Sequence, residues 1–379
     1  MSDTESLFTR RSVLKTAGAA TAVAGGAAAL GTVNATTSQQ AAGWQTYADD
    51  QVPTSKTLRS VTMTTRGPVA VGATGNLLTY ATNGKGTPED YDVTAHEWEL
   101  AFSNGPQTRG APLRAASTTD DGKRVYFVGG SGAFGAFDVE TKTKYNYSAP
   151  SGKTSTWEGI SVVGDVDEEV IYASNGSGEV MRMPFDQQQK CLLTDLEEDG
   201  VNLVKPASGS NAAAIDMRES RPGYGHVVDT SSNALENTGD SYATDSWDDI
   251  GIPDSQVATT DVISYETQDV DRAYVSAGGG KLYRLECSCN NWTPLQLGTK
   301  RLNCVTREGD KKLVVGNSGR IFEKTPETQW TQLDSPVESN LLEARYGRPA
   351  PDSENVYPDV AVGSSGLAVF RLPPEVTQS

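Results

Sequence analysis

The side chains of this sequence best suited to chemistry are two histidines, four cysteines and several adjacent pairs of carboxylates. A Ser-His-Asp relay needs a histidine free to pass a proton to and from a nucleophile. His226 lies inside the apolar run Tyr224-Gly-His-Val-Val, where a packed strand residue is expected, and His96 lies in a charged stretch with no evident partner. Cys287 and Cys289 would share one face of a strand, which is poor geometry for a mutual disulfide. A zinc site would want a second close pair or neighbouring histidines, so with Cys191 and Cys304 they are expected to be buried or singly paired thiols, and no metal is expected. Asp248-Asp249 and Glu168-Glu169 could pair as general acid and base, but in a chain this acidic they are expected to be solvated surface acids. Asp120-Asp121-Gly122 and Asp165-Val-Asp167-Glu168 could offer oxygens to calcium, yet neither has EF-hand spacing. The glycine runs after the N-terminal segment belong to a repeat rather than to a phosphate loop, and no cofactor is expected.

That repeat must position anything functional. An apolar run, a glycine-containing turn and a second apolar run recur seven times, as in Val69-Ala-Val-Gly-Ala-Thr-Gly75-Asn-Leu-Leu, Leu313-Val-Val-Gly-Asn-Ser-Gly319-Arg-Ile-Phe and Val360-Ala-Val-Gly-Ser-Ser-Gly366-Leu-Ala-Val. The marker glycines Gly75, Gly132, Gly178, Gly225, Gly280, Gly319 and Gly366 fall 39 to 57 residues apart, the pace of propeller blades. Each copy reads as the central hairpin of a sheet, with glycine supplying the positive φ of a tight turn. A short strand precedes most copies, as at Leu58-Arg-Ser-Val-Thr-Met, and a Trp-led strand follows several, at Trp98, Trp247, Trp292 and Trp330.

The expected fold is therefore all-β: one seven-bladed β-propeller over residues 44–379. Six blades are the alternative, because the hairpin within Gly200 to Asp254 is irregular. Trp44-Gln-Thr-Tyr reads as a Trp-led outer strand with no blade before it, and the last blade lacks one. Residues Trp44 to Ala48 are thus expected to close the final blade, since an unpaired sheet edge is a liability. Alignment of the inner strands places Arg59, Arg114, Glu158, Lys205, Asp261, Asn303 and Glu343 at corresponding places near the mouth of the central channel. The basic members Arg59, Arg114 and Lys205 would focus positive potential there, for an acidic group on a protein or glycan partner.

The N-terminus carries Thr9-Arg10-Arg11-Ser12-Val13-Leu14-Lys15 before a soft Ala/Gly-rich stretch, the form of a twin-arginine export signal. The stretch is too weakly apolar for a membrane span. Val33-Asn34-Ala35 places cleavage after Ala35, leaving 36–43 as a linker. The mature chain is expected to be exported to the cell surface or medium, with no integral membrane segment. A formal charge of −17 argues against nucleic acid as a partner, and its lysine-poor acidity matches the hydrated surface of halophile proteins.

The unit Trp-(x)n-Leu-x-x-Val-x-(x)n-Val-Ala-Val-Gly-x-x-Gly-x-Leu-Leu, clearest at Leu58 to Thr79 and Leu302 to Leu333, resembles the BNR-like propellers of photosystem II stability and assembly factors, within the wider class of WD40- and YVTN-type repeats. The Asp-Gly-Gly that this family writes before its Thr-Trp is missing from every blade, so the likeness is to a superfamily of repeats. It implies an exported or lumenal scaffold without catalysis of its own. The alternative is a secreted glycan-acting hydrolase of the propeller type, although the sialidase Ser-x-Asp-x-Gly-x-Thr-Trp boxes are absent. A hydrolase needs a pocket with two convergent carboxylates; a scaffold needs only a patch.

Overall fold

The structure is a computed structural model that describes residues 43–48, 50–81, 97–184, 202–204, 212–218, 224–238, 247–252, 257–267, 270–286, 291–350 and 356–372. The signal-like segment, with Arg10, Arg11 and Ala35, lies outside them, as do His96, Cys191, Lys205, Cys287 and Cys289. The described strands all fall in the unit Gln40–Ser379.

Alternating apolar runs interrupted by tight turns fold into seven four-stranded antiparallel sheets. A two-residue strand β1 (Gln45–Thr46) comes first. Blade 1 is β2 (Leu58–Thr64), β3 (Gly67–Gly72), β4 (Leu77–Ala81) and β5 (Glu97–Phe102). Blade 2 is β6 (Leu113–Thr118), β7 (Arg124–Gly129), β8 (Phe134–Asp138) and β9 (Thr143–Asn146); blade 3 is β10 (Trp157–Val163), β11 (Val170–Asn175), β12 (Val180–Pro184) and β13 (Asn202–Val204). Blade 4 is β14 (Ala212–Met217), β15 (Tyr224–Asp229), β16 (Ala234–Thr238) and β17 (Trp247–Asp249), and blade 5 is β18 (Thr259–Thr267), β19 (Val270–Ala277), β20 (Lys281–Glu286) and β21 (Asn291–Gln296). Blade 6 is β22 (Leu302–Glu308), β23 (Lys311–Gly316), β24 (Ile321–Lys324) and β25 (Thr331–Leu333). Blade 7 holds β26 (Leu341–Arg345), β27 (Asp359–Gly363) and β28 (Ala368–Arg371). Each first strand packs against the first strand of the next blade, and β26 returns to β2, so the ring is closed around a central channel.

Blade 7 takes its fourth strand from the other end of the chain, where Gln45 pairs with Phe370 and Thr46 with Val369. Trp44 and Tyr47 lie an odd number of residues apart and serve opposite faces of that sheet. Trp44 packs with Leu313, Ile321 and Val369 toward blade 6, and Tyr47 with Val61, Tyr80 and Trp98 toward blade 1. The segment thus joins three blades.

The region of the irregular hairpin forms a complete blade, so there are seven and not six. Gly225, however, is not its turn glycine. It sits on β15, where a Cβ would fall 2.3 Å from the Asp216 carbonyl oxygen of β14. The blade 4 turn is built without glycine, with Ser232 at φ 73 and the Asp229 carboxylate accepting the N–H groups of Ser231 and Asn233. An Asx-type bond replaces the glycine there. At Gly319 and Gly366 glycine is required, because φ is positive and a Cβ would collide with the carbonyls of Val337 and Thr54.

Candidate channel-mouth site

All seven inner strands carry a β-bulge at the same place, one residue after their first. The extra residue is left out of the ladder and its side chain is re-aimed, as bulges do near sites. The bulged residues are Arg59, Arg114, Glu158, Ala213, Thr260, Asn303 and Leu342, which ring one mouth of the channel. Four of them are the residues expected from the sequence. Asp261 and Glu343 stand one residue deeper, and the places given to them at the rim are taken by Thr260 and Leu342. Lys205 lies outside the described residues, and the blade 4 rim position is Ala213. For Asp261 and Glu343 the cause is where the strands begin: pairing of Thr259 with Ala277 and of Leu341 with Gly363 puts Thr260 and Leu342 at the bulge.

Thr260 and Asn303 are spent on the scaffold: Thr260 Oγ1 donates to the Leu302 carbonyl at 2.8 Å, and Asn303 Nδ2 to that of Leu341 at 2.7 Å. The arginines are not. Arg114 Nε stands 3.7 Å from Glu158, a loose, half-exposed pair, and among the described residues Arg59 makes no hydrogen bond or ion pair. The Nε of each is buried without a hydrogen-bond partner. Burial and the neighbouring Arg114 charge both lower the Arg59 pKa, with Glu158 opposing them. Two guanidiniums facing one carboxylate leave a local positive excess at the mouth of a strongly acidic protein.

Below the mouth polar side chains stitch the blades together, five of them by accepting from a backbone N–H of the next blade. Ser60 accepts from Ala116 at 3.1 Å, Ser117 from Val162 at 3.1 Å and Ser161 from Met217 at 3.0 Å. Asp216 accepts from Ser264 at 2.5 Å and Asp261 from Val305 at 3.0 Å. The Cys304 thiol lies 3.8 Å from the Ala344 carbonyl, and Glu343 bonds Ser60 across the seam between blades 7 and 1. Every junction of the ring is crossed by at least one such bond. Local strand patterning could not show this, because each bond joins residues about 40 or more positions apart, or the two ends of the ring.

Three of these groups meet Arg345, whose guanidinium stands 2.5 Å from Glu343 and 3.8 Å from the Cys304 sulfur. Burial pushes the Glu343 carboxyl up to about 7 and Asp261 to about 6, against the pull of Arg345, because two carboxylates share one guanidinium. Burial likewise raises the Cys304 thiol well above its ordinary value. Asp261, Glu343 and Arg345 line the central channel, whose volume of about 710 Å³ is bounded by residues of all seven inner strands.

The remaining sequence candidates resolve into packing. His226 is fully buried, with Nδ1 2.9 Å from Ser264 Oγ and Nε2 3.5 Å from Glu236. This has the composition of a relay, but Ser264 is itself buried between blades 4 and 5 and bonds the Asp216 carbonyl at 2.8 Å. Burial would raise the Glu236 pKa, yet the hydrogen bonds of His226 and Tyr224 hold it below the ordinary range. Glu168 is exposed, whereas Glu169 is completely buried, correcting its reading as a surface acid: it accepts from Arg124 at 2.9 Å and Tyr126 at 2.7 Å. Asp248 and Asp249 are exposed on β17. The two calcium-like loops meet each other, Asp120 Oδ2 accepting from the Gly164 N–H at 2.7 Å. Among the described residues no cluster of three or more His, Cys, Asp or Glu has metal-binding geometry.

No protein-family model and no curated protein sequence matches the chain. Solved structures do. The fold is that of known β-propellers. The WD40 propeller domain of Doa1 superposes with a TM-score of 0.62 at 8% identity, over 88% of this chain and 98% of that one. YCF48 bound to a D1 peptide gives 0.60 at 14% identity, over 87% and 97%. YCF48 from Cyanidioschyzon merolae gives 0.57 at 11%, over 88% and 99%. The distant resemblance to assembly-factor propellers read from the repeats is thus matched in three dimensions, at identities that speak for the fold. Among the described residues no helix is long and apolar enough to cross a membrane.

Proposed function

We propose that this chain is an exported propeller that works as a binding or assembly scaffold, taking an acidic group of a protein partner at the channel mouth through Arg59 and Arg114. One observation carries the reading: two guanidiniums, on the bulged residues of adjacent blades, face the single carboxylate of Glu158, which pairs loosely with Arg114 at 3.7 Å and leaves Arg59 with no ion pair among the described residues. Arg124 and Arg371, by contrast, are fully engaged by carboxylates. An unpaired cation beside a wet channel, in an acidic protein, attracts an anion and selects against more basic competitors. The peptide held by the solved YCF48 is consistent with a propeller of this shape receiving a polypeptide segment. Asp216 and Asp261 each accept a backbone N–H of the next blade and Glu343 pairs with Arg345, an arrangement that favours binding over glycan hydrolysis.

The test is capture from native surface and medium fractions with tagged mature protein, beside the Arg59→Ala/Arg114→Ala variant. A stoichiometric protein partner lost in the variant supports the proposal; a partner held equally by both would overturn the assignment of the mouth. Export is tested separately, with Arg10→Lys/Arg11→Lys: accumulation of uncleaved chain inside the cell is expected, and unchanged secretion would refute the twin-arginine reading.

A further inference from the structure

The channel changes sign along its axis. The mouth carries the Arg59 and Arg114 guanidiniums, and one residue deeper on the inner strands stand Glu343 and Asp261 with Arg345 as their shared counter-ion. One strand residue is about 3.3 Å of rise, so the two layers lie within the reach of neighbouring side chains on one extended segment. Resting on the mouth as an anion site, we infer that the channel receives a bipolar tip of a partner polypeptide, its cation placed inward against Glu343 and Asp261 and its anion at Arg59 and Arg114.

The inner layer is short of positive charge by the same count that leaves the outer layer short of negative. Two carboxylates face a single guanidinium, and the other groups turned toward them are the Cys304 thiol of blade 6, the Ser60 hydroxyl of blade 1 and, acting through Arg345, the Asp216 carboxylate of blade 4. Burial disfavours the charged form of both carboxyls, which therefore hold a proton up to about pH 6 to 7 despite the pull of Arg345. An inserted ammonium or guanidinium would displace that proton. Binding of a bipolar ligand therefore releases a proton, and its affinity rises with pH through the range in which Asp261 and Glu343 ionise. An anion without the inward cation gains nothing from that ionisation.

The experiment is an NMR titration of the mature protein with acetyl-Lys-Gly-Glu-amide and with the same peptide acetylated on its lysine amine, at pH 5.5 and pH 8. The charged peptide is expected to bind about two- to fivefold tighter at the higher pH, the worth of one ion pair open to solvent, and the acetylated one with no such rise. Glu343→Gln/Asp261→Asn, which keeps the acceptor oxygens that stitch the ring, should abolish both the pH dependence and the difference between peptides. Equal binding of the two peptides at pH 8, or a pH slope that survives in that variant, would overturn the inference and leave the mouth reading intact. Binding unaffected by Arg59→Ala/Arg114→Ala would overturn the mouth reading instead. A parallel titration with 6-aminohexanoate separates the two sources of bipolar chemistry: tighter binding of this small zwitterion than of the peptide would replace the polypeptide partner with a free metabolite.

Discussion

Replacing Trp44 with alanine attacks the ring at its closure. The indole is buried against Leu313, Ile321 and Val369, with the Arg371 guanidinium 5.3 Å from its ring centre. A buried tryptophan side chain removes about 150–250 Å² from water. At about 25 cal/mol/Å² this is roughly 4–6 kcal/mol, in line with the 3–5 kcal/mol typical of aromatic-to-alanine changes in cores. Arg371 keeps its bonds to Glu323 and Asp359, so no stranded charge adds to the loss. With an unfolding entropy of about 2 cal/mol/K per residue, a ring of this size loses about 1.5 °C in Tm per kcal/mol. Trp44→Ala should therefore lower the Tm by about 4–7 °C, followed by circular dichroism and fluorescence in one buffer. Trp44→Phe is the informative control. The indole N–H is buried with no hydrogen-bond partner among the described residues, so its removal offsets part of the lost area, and a drop below about 2 °C is expected. A Trp44→Ala protein melting within 1 °C of the parent would refute the claim that this strand closes the ring.

Three further predictions follow from the buried polar groups. Arg124→Leu strands the fully buried Glu169 carboxylate, a loss of about 3–5 kcal/mol, and denaturant unfolding should show it restored in part by adding Glu169→Gln. Ser161→Ala removes the acceptor for the Met217 N–H and should cost about 1–3 kcal/mol without altering the far-ultraviolet spectrum; a loss below measurement would mean that the junction is not held by this bond. Glu343 and Asp261 bind protons more tightly folded than unfolded, so their contribution to stability falls as pH rises from about 4, the unfolded carboxylate range, and is fully lost above about 6 to 7. Unfolding between pH 5 and 8 should show that negative slope, flattened in Glu343→Gln/Asp261→Asn. Glu236 and Glu323, held below the ordinary carboxylate range, act with the opposite sign, and their stabilisation is lost only as pH falls through their lower folded values.

Blade number, strand order and the closing strand at Trp44 were all readable before any coordinates, because each rests on local information: apolar alternation, turn residues that permit positive φ, and the pace of the repeat. Even the degenerate fourth copy could be counted, although its turn uses Ser232 and Asp229 where a glycine was expected at Gly225. The identity of the rim depended on tertiary structure. Arg59, Arg114, Glu158 and Asn303 follow the first inner-strand residue directly and were found by alignment. Asp261 and Glu343 stand one residue beyond the bulge, because their strands begin at Thr259 and Leu341, and a strand's first residue is set by its pairing with the next strand and not by its own alternation. The roles of Ser60, Ser117, Ser161, Asp216 and Arg345 were equally hidden, because each acts on a neighbouring blade. Sequence periodicity determines which hairpins form; the packing of whole blades decides which polar groups are consumed in holding the ring and which, like Arg59, make no hydrogen bond or ion pair among the described residues.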